Sequence, residues 1–278
     1  MTTLVYAFGV MAAMGALFGI LLGAAGKKFA VEVDPRVTRI RDVLPGANCG
    51  ACGYPGCDGL AEAIVGGKAP VDACKAGGPS VTKAISTVMG IEVSVADGRK
   101  VARVMCGGSS EYCGSRSEYK GVPSCRAALL AGGGFKSCTY GCLGLGDCAR
   151  ACTFGAITMG RNGLPVIDEE KCVACGNCVK ACPRGIIEIV PEASLVYVRC
   201  RNKDRGVVVR KICKVGCIGC QACVKVCEAG AMMFGENLAR VDYSKCNVCG
   251  ACAAKCPTKA IADLRPQAAG TAEEEAAV

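Results

Sequence analysis

The chain carries 25 cysteines, and most stand at intervals that few kinds of chemistry use. Three runs read C-x2-C-x2-C-x3-C: Cys172, Cys175, Cys178 and Cys182; Cys217, Cys220, Cys223 and Cys227; and Cys246, Cys249, Cys252 and Cys256. Pro183 and Pro257 follow two of them. Three thiolates at that spacing wrap three irons of a [4Fe–4S] cubane, and the fourth reaches the neighbouring cluster. Tetrahedral zinc also binds paired CxxC motifs, but it leaves the third step and the trailing Cys-Pro without a purpose.

The crossover of the fourth cysteine divides the ligands. Cys217, Cys220, Cys223 and Cys256 form one set, and Cys227, Cys246, Cys249 and Cys252 form another. Upstream, Cys152, Cys172, Cys175 and Cys178 form a third. Its neighbour keeps Cys142, Cys148 and Cys182 but has Leu145 where the later copy has Cys220. Cys138, four residues before Cys142, is the nearest candidate for the missing ligand. Cys49, Cys52, Cys57 and Cys74 make a separate set, with glycines between them that permit tight wrapping. Five clusters are expected, using 20 cysteines. Cys106, Cys113, Cys125, Cys200 and Cys213 are left over. Of these, Cys106, Cys125, Cys200 and Cys213 are the candidates for a sixth cluster; buried free thiols are the equal alternative. Val104-Met105-Cys106 resembles Val198-Arg199-Cys200, which hints at paired positions.

Composition removes other chemistries. With no histidine, His-ligated haem, Rieske centres, most catalytic zinc sites and His-dependent acid–base catalysis are excluded. Neither a dinucleotide-binding G-x-G-x-x-G after a strand nor a P-loop is present, so no NAD or flavin site and no catalytic residue is expected here. A disulfide scaffold is disfavoured, because the chain is long and the cysteine count odd.

The elements that must position these cysteines come from a duplication. Cys138, Cys142, Cys148 and Cys152 recur 75 residues later as Cys213, Cys217, Cys223 and Cys227, and Cys172 to Cys182 recur 74 residues later. Asn162-Gly163 between apolar runs predicts a hairpin. Residues 91–104 read as another, with Ile91, Val93 and Val95 returning through Asp97-Gly98 to Val101 and Val104. Before all of this, Leu4 to Ala25 is an uncharged apolar run of about 33 Å as a helix, enough to span a bilayer. Lys27 and Lys28 follow it, which puts the N-terminus outside and the cysteine-bearing domains in the cytoplasm. Its long apolar core and uncharged start disfavour a cleaved signal peptide. Gly15, Gly19 and Gly23 form a small-residue stripe suited to packing against membrane partners. The expected fold is α+β. It comprises an anchor over 1–26, a connector over 27–44, a four-Cys domain over 45–90, and a hairpin and Cys-bearing connector over 91–135. A first ferredoxin-like domain over 136–190, a basic connector over 191–212, a second ferredoxin-like domain over 213–264 and a disordered tail over 265–278 complete it.

An apolar N-terminal helix, the block NCGACGYPGCDGLAEAI and duplicated ferredoxin motifs together resemble the B subunit of the Rnf complex. The blocks KSCTYGCLGLGDC and KCVACGNCVKACPRGII strengthen the likeness, which runs from about residue 3 to 262. The resemblance implies a membrane-bound ferredoxin:NAD⁺ oxidoreductase that couples electron flow to Na⁺ or H⁺ translocation. This chain would be its electron-input subunit, and NAD, flavins and the ion path would lie on other subunits.

Charge agrees with an acidic ferredoxin as donor. Residues 199–214 hold seven Arg and Lys against Asp204 alone, a net of +6 within a formal total of +9. Lipid attraction is a rival for this segment. Nucleic acid is not expected, because aromatics do not interleave the charges. An iron–sulfur subunit of another membrane oxidoreductase, of hydrogenase or formate dehydrogenase type, and a non-catalytic iron–sulfur sensor are the alternatives in function.

Overall fold

The computed structural model describes residues 2–28, 34–91 and 98–266. Helix α1 (Thr2–Lys28) includes a candidate membrane span, Phe8–Lys28, of mean hydropathy 2.0. None of that span is buried against protein, and its apolar residues face all round. Such a helix is suited to lipid rather than to a one-sided core. Nothing lies within 4 Å of where side chains would project from Gly15, Gly19 and Gly23, so the stripe is open.

The first soluble unit consists of α2 (Pro35–Val43), α3 (Gly56–Val65) and α4 (Gly78–Met89). Asp34 caps α2 by accepting from the Arg36 N–H, and Pro35 occupies the first turn, where its missing N–H costs nothing. Ile40 of α2 is fully buried among Leu60, Ile64 and Ile85. The expected connector over 27–44 is therefore half helix, and its apolar face belongs to the four-Cys core.

The ferredoxin-like region begins earlier than the cysteine repeat. Strand β1 (Lys100–Val104) precedes α5 (Cys125–Leu130), α6 (Asp147–Arg150), the hairpin β2 (Ile157–Met159)–β3 (Pro165–Ile167), α7 (Asn177–Ala181) and β4 (Ile187–Pro191). Strand β5 (Val196–Val198), α8 (Gly206–Ile212), α9 (Ala222–Lys225), the hairpin β6 (Met232–Gly235)–β7 (Leu238–Val241), α10 (Ala251–Ala254) and β8 (Ile261–Asp263) follow. Asn162-Gly163 does lie in the connection between β2 and β3. In the later copy Glu236 and Asn237 supply two successive positive φ values, the type I′ geometry that matches strand twist.

Strand β1 pairs antiparallel with β4, with Ala102 opposite Ile189. The first arm of the hairpin expected over 91–104, residues 92–97, lies outside the described residues. Strand β5 pairs in the same way with β8. Each ferredoxin-like unit is thus closed by a leading strand laid on its trailing strand. The basic connector over 191–212 is correspondingly not a connector, since it contains β5 and α8. Arg265, the first residue of the expected tail, holds both Asp263 and the Cys249 carbonyl; residues 267–278 lie outside the described residues.

Replacing Ile40 with Ala tests the placement of α2. Truncating a fully buried isoleucine should cost about 2–5 kcal/mol. A substitution in a solvated connector would stay within about 0.5 kcal/mol. Anaerobic denaturant unfolding, followed by loss of protection of residues 35–90 from proteolysis, distinguishes the two.

Candidate metal centres

Each cysteine motif is carried on a backbone turn that ordinary residues avoid. The residue before the second ligand position is left-handed in all four ferredoxin loops: Gly144, Ala174, Gly219 and Val248. So is the residue that caps the start of each short helix, namely Gly146, Gly176, Gln221 and Gly250, and the third after the last cysteine, namely Gly155, Gly185, Gly230 and Lys259. A left-handed valine is costly, and it persists only when its surroundings over-determine it. These turns aim successive thiols inward and place Cys148, Cys178, Cys223 and Cys252 on the buried faces of α6, α7, α9 and α10. The loop around Leu145 keeps the full set of turns although its cysteine is absent, and Leu145 itself faces a separate groove with Tyr119 and Phe135.

Four thiol-lined cavities result. One gathers Cys152, Cys172, Cys175 and Cys178. Another gathers Cys217, Cys220, Cys223 and Cys256. A third gathers Cys125, Cys142, Cys148 and Cys182. The fourth gathers Cys106, Cys113, Cys138, Cys200 and Cys213. Cys49, Cys52, Cys57 and Cys74 lie close enough to act on one another electrostatically, as do Cys227, Cys246, Cys249 and Cys252.

Two expectations need correction. Cys138 does not join Cys142, Cys148 and Cys182; it lines the other cavity, where the Asn202 side chain donates to its Sγ at 3.4 Å. Cys125 stands with Cys142, Cys148 and Cys182 instead of with Cys106, Cys200 and Cys213. The cause is the segment between Cys106 and Cys138, which has 31 residues against 12 between the equivalent Cys200 and Cys213. Its helix α5 begins at Cys125, and Asp147 of α6 accepts from the Arg126 N–H and the Ser124 hydroxyl, both at 3.0 Å. Burial opposes ionisation of Asp147, but these donors with the Cys125 N–H outweigh it and hold its carboxyl below the usual range. The carboxylate thereby clamps Cys125 over the gap left at Leu145. Cys113 has no place in the sequence-derived sets, yet it is buried, and its thiol is within hydrogen-bonding reach of Cys138 and Cys213. No motif surrounds either Cys113 or Cys125.

Cys106 and Cys200 are structural equivalents, as their flanks hint. The N–H of Met105 donates to Ile186 and that of Arg199 to Ala260, each at 2.7 Å, continuing the two strand pairs by one rung. The Cys142 N–H then donates to Cys106 Sγ at 3.4 Å, and the Cys217 N–H reaches Cys200. Other sulfurs receive similar backbone donors: Ala102 to Cys172 at 3.4 Å, Ala156 to Cys152 at 3.3 Å and Ala260 to Cys256 at 3.3 Å.

The donor set fits iron–sulfur clusters. All 25 cysteines are free of disulfides. Among the described residues, no three Cys, Asp or Glu side chains converge tightly enough for a single metal ion. Sulfurs on one zinc lie about 2.3 Å from it, whereas a cubane holds its ligands apart around a larger core. Burial pushes the thiols of Cys142 and Cys178 up to about 12, and those of Cys148, Cys200, Cys223 and Cys252 up to about 11. Such sites accept thiolates only when a cation takes the place of the protons.

The fold and its cysteines define an iron–sulfur protein of ferredoxin-like domains behind a candidate membrane-spanning helix. Family models agree over three segments: an Fe-S cluster family at residues 44–76, a 4Fe-4S binding domain at 165–188 and a 4Fe-4S dicluster domain at 216–260. The chain is 48% identical over 253 residues to the B subunit of the Na(+)-translocating ferredoxin:NAD(+) oxidoreductase complex of Acetobacterium woodii, covering 91% of this chain and 76% of that one. It is 44% identical to the B subunit of the ion-translocating oxidoreductase complex of Methanosarcina acetivorans, covering 94% and 98%. It is also 44% identical to the B subunit of the proton-translocating ferredoxin:NAD(+) oxidoreductase complex of Clostridium ljungdahlii, covering 94% and 93%. The chain belongs to the B-subunit family of ion-translocating (Rnf-type) oxidoreductase complexes.

Replacing Cys125 and Cys138 singly and together with Ser tests their separation. Each single variant should lose about four iron atoms per chain, and the double variant about eight. If the double variant loses no more than either single one, both cysteines serve the same centre.

Proposed function

We propose that the chain is a six-cluster conductor that takes electrons from reduced ferredoxin and delivers them to the membrane subunits of an Rnf-type ferredoxin:NAD⁺ oxidoreductase coupled to ion translocation. The observation that carries this reading is the central cavity. Its thiols come from both ferredoxin-like units, and it lies between their own clusters. Cys106, Cys138, Cys200 and Cys213 are the ligands that the pseudo-repeat favours, as two equivalent pairs. Cys113 is then a fifth thiol packed against two of them. The remaining sets are Cys49, Cys52, Cys57 and Cys74; Cys152, Cys172, Cys175 and Cys178; Cys125, Cys142, Cys148 and Cys182; Cys217, Cys220, Cys223 and Cys256; and Cys227, Cys246, Cys249 and Cys252. When bound, each cluster accepts and releases one electron; the chain's own residues hold the clusters in sequence.

Neighbouring contacts support a linear order. The Asn177 side chain donates to the Cys49 carbonyl at 3.4 Å and Lys180 donates to the Ala51 carbonyl at 3.0 Å, so the four-Cys unit sits on α7. Cys148 and Cys178 share one core across α6 and α7. Cys142 touches Cys106, and Cys200 adjoins Cys217. The four-Cys cluster is the membrane-side end, because α2 follows α1 closely in the chain. Lys27 and Lys28 set the soluble part on the cytoplasmic side.

Ferredoxin entry is assigned to α8. Arg201 and Lys203 are already paired with Glu188 and Glu236. Arg205, Arg210, Lys211 and Lys214 remain exposed, around Val207 and Val208, which are 71% and 45% exposed. On the opposite face of the same helix, Val209 is fully buried and lines the central cavity. A donor seated on α8 would be one helix away from that cavity.

Anaerobic analysis should return about 24 iron atoms per chain; about 20 would remove the central cluster. Exchanging Arg205, Arg210 and Lys211 for Glu should slow reduction by ferredoxin at low salt. The difference should shrink as the Debye length falls from about 30 Å at 0.01 M to about 8 Å at 0.15 M. Dithionite should still reduce the clusters. Equal ferredoxin rates at low salt would move docking elsewhere.

A further inference from the structure

The four thiol-lined cavities differ in charge. The lining of the Cys152 cavity and that of the Cys217 cavity contain no Lys, Arg, Asp or Glu. The Cys125 cavity has one of each sign, Arg184 and Asp147. The central cavity is lined by Lys136, Arg199 and Arg201, with no acidic residue. Arg201 is paired with Glu188, but among the described residues neither Lys136 nor Arg199 forms an ion pair. Lys136 is 6% exposed, and its ammonium donates to the Gly108 carbonyl beside Cys106 and Cys213. The Nε of Arg199 is buried with no partner.

A buried lysine without a carboxylate is costly, so its retention here calls for a negative charge nearby. Four thiolates around a cubane make a net anion, and reduction adds one further negative charge. A fixed cation in a dry cavity stabilises the reduced form more than the oxidised form. We infer that Lys136, with Arg199, raises the reduction potential of the central cluster above its neighbours, making it the electron-holding site between the two ferredoxin-like units. One electron arrives from the reduced donor, ferredoxin seated on α8 or a neighbouring cluster, which is oxidised, and the same electron leaves to an adjoining cluster. No proton or further reactant is consumed. This inference rests on the central cluster proposed above. Asn202, 2% exposed, adds a neutral donor to Cys138, so the two cations are the charged contribution. The charge of Lys136 also reaches Cys142, so a smaller change in the adjoining cluster is expected.

The test is an EPR-monitored redox titration of the full chain, with the central signal identified as the one lost in Cys200→Ser. Lys136→Met should lower that one midpoint by a tenfold or greater change in its reduction equilibrium, about 59 mV for one electron, with iron content unchanged. Lys136→Arg should restore it. Arg199→Gln is the second variant and should move the same midpoint in the same direction, which keeps the test open if Lys136→Met fails to assemble. Unchanged midpoints in correctly loaded Lys136→Met and Arg199→Gln overturn the tuning role while leaving the six-cluster reading intact. About 20 iron atoms in the unaltered chain, with no signal lost in Cys200→Ser, overturns the central cluster itself.

Discussion

Everything in the soluble part depends on pairing buried sulfur with a cation. The chain has no tryptophan and few other aromatics, and its cores are small: isoleucine and leucine beneath α2 to α4, and short strands with alanine and valine elsewhere. The thiols are part of those cores. Their burial drives them strongly toward the neutral form, so the folded chain without metal is built around groups it cannot charge. Iron relieves that constraint and cross-links turns that are otherwise strained, of which left-handed Val248 is the plainest case. Metal binding and folding are then one process.

The parts legible in the sequence are those where ligands are local. The three complete ferredoxin motifs, the Cys49 to Cys74 block, the duplication and the β2–β3 hairpin all lie within short stretches whose spacing carries the geometry. Cys125 is not legible, because its placement comes from an insertion held by Asp147, a residue far from it in sequence. Cys138 is suggested by proximity alone, but chain neighbours four apart need not share a cavity. Cys113 has no motif to mark it. The pairing of β1 with β4 closes a loop of more than eighty residues, and alternation in β1 announces a strand without naming its partner. The similar flanks of Cys106 and Cys200 and the recurrence of Cys138 as Cys213 are the sequence traces of the central cavity.

The duplication also explains why a central site exists. Two ferredoxin-like units each leave a cysteine after the leading strand and another before the first motif. When the units face one another across the Gly107–Arg199 hydrogen bond, at 2.9 Å, the four come together. Neither unit alone supplies the set. In the six-cluster reading proposed above, the joint between the units is also the point at which electrons cross between them, and α8 covers it with a basic outer surface and an apolar inner one.

A continuous row of clusters through one chain is the feature on which the electron path stands. Iron-edge anomalous diffraction from crystals of the intact complex, grown without oxygen, measures it directly. Six four-iron peaks are expected in this chain, with one between the two ferredoxin-like units and enclosed by Cys106, Cys138, Cys200 and Cys213. Five peaks with no iron at the joint between the units would contradict it.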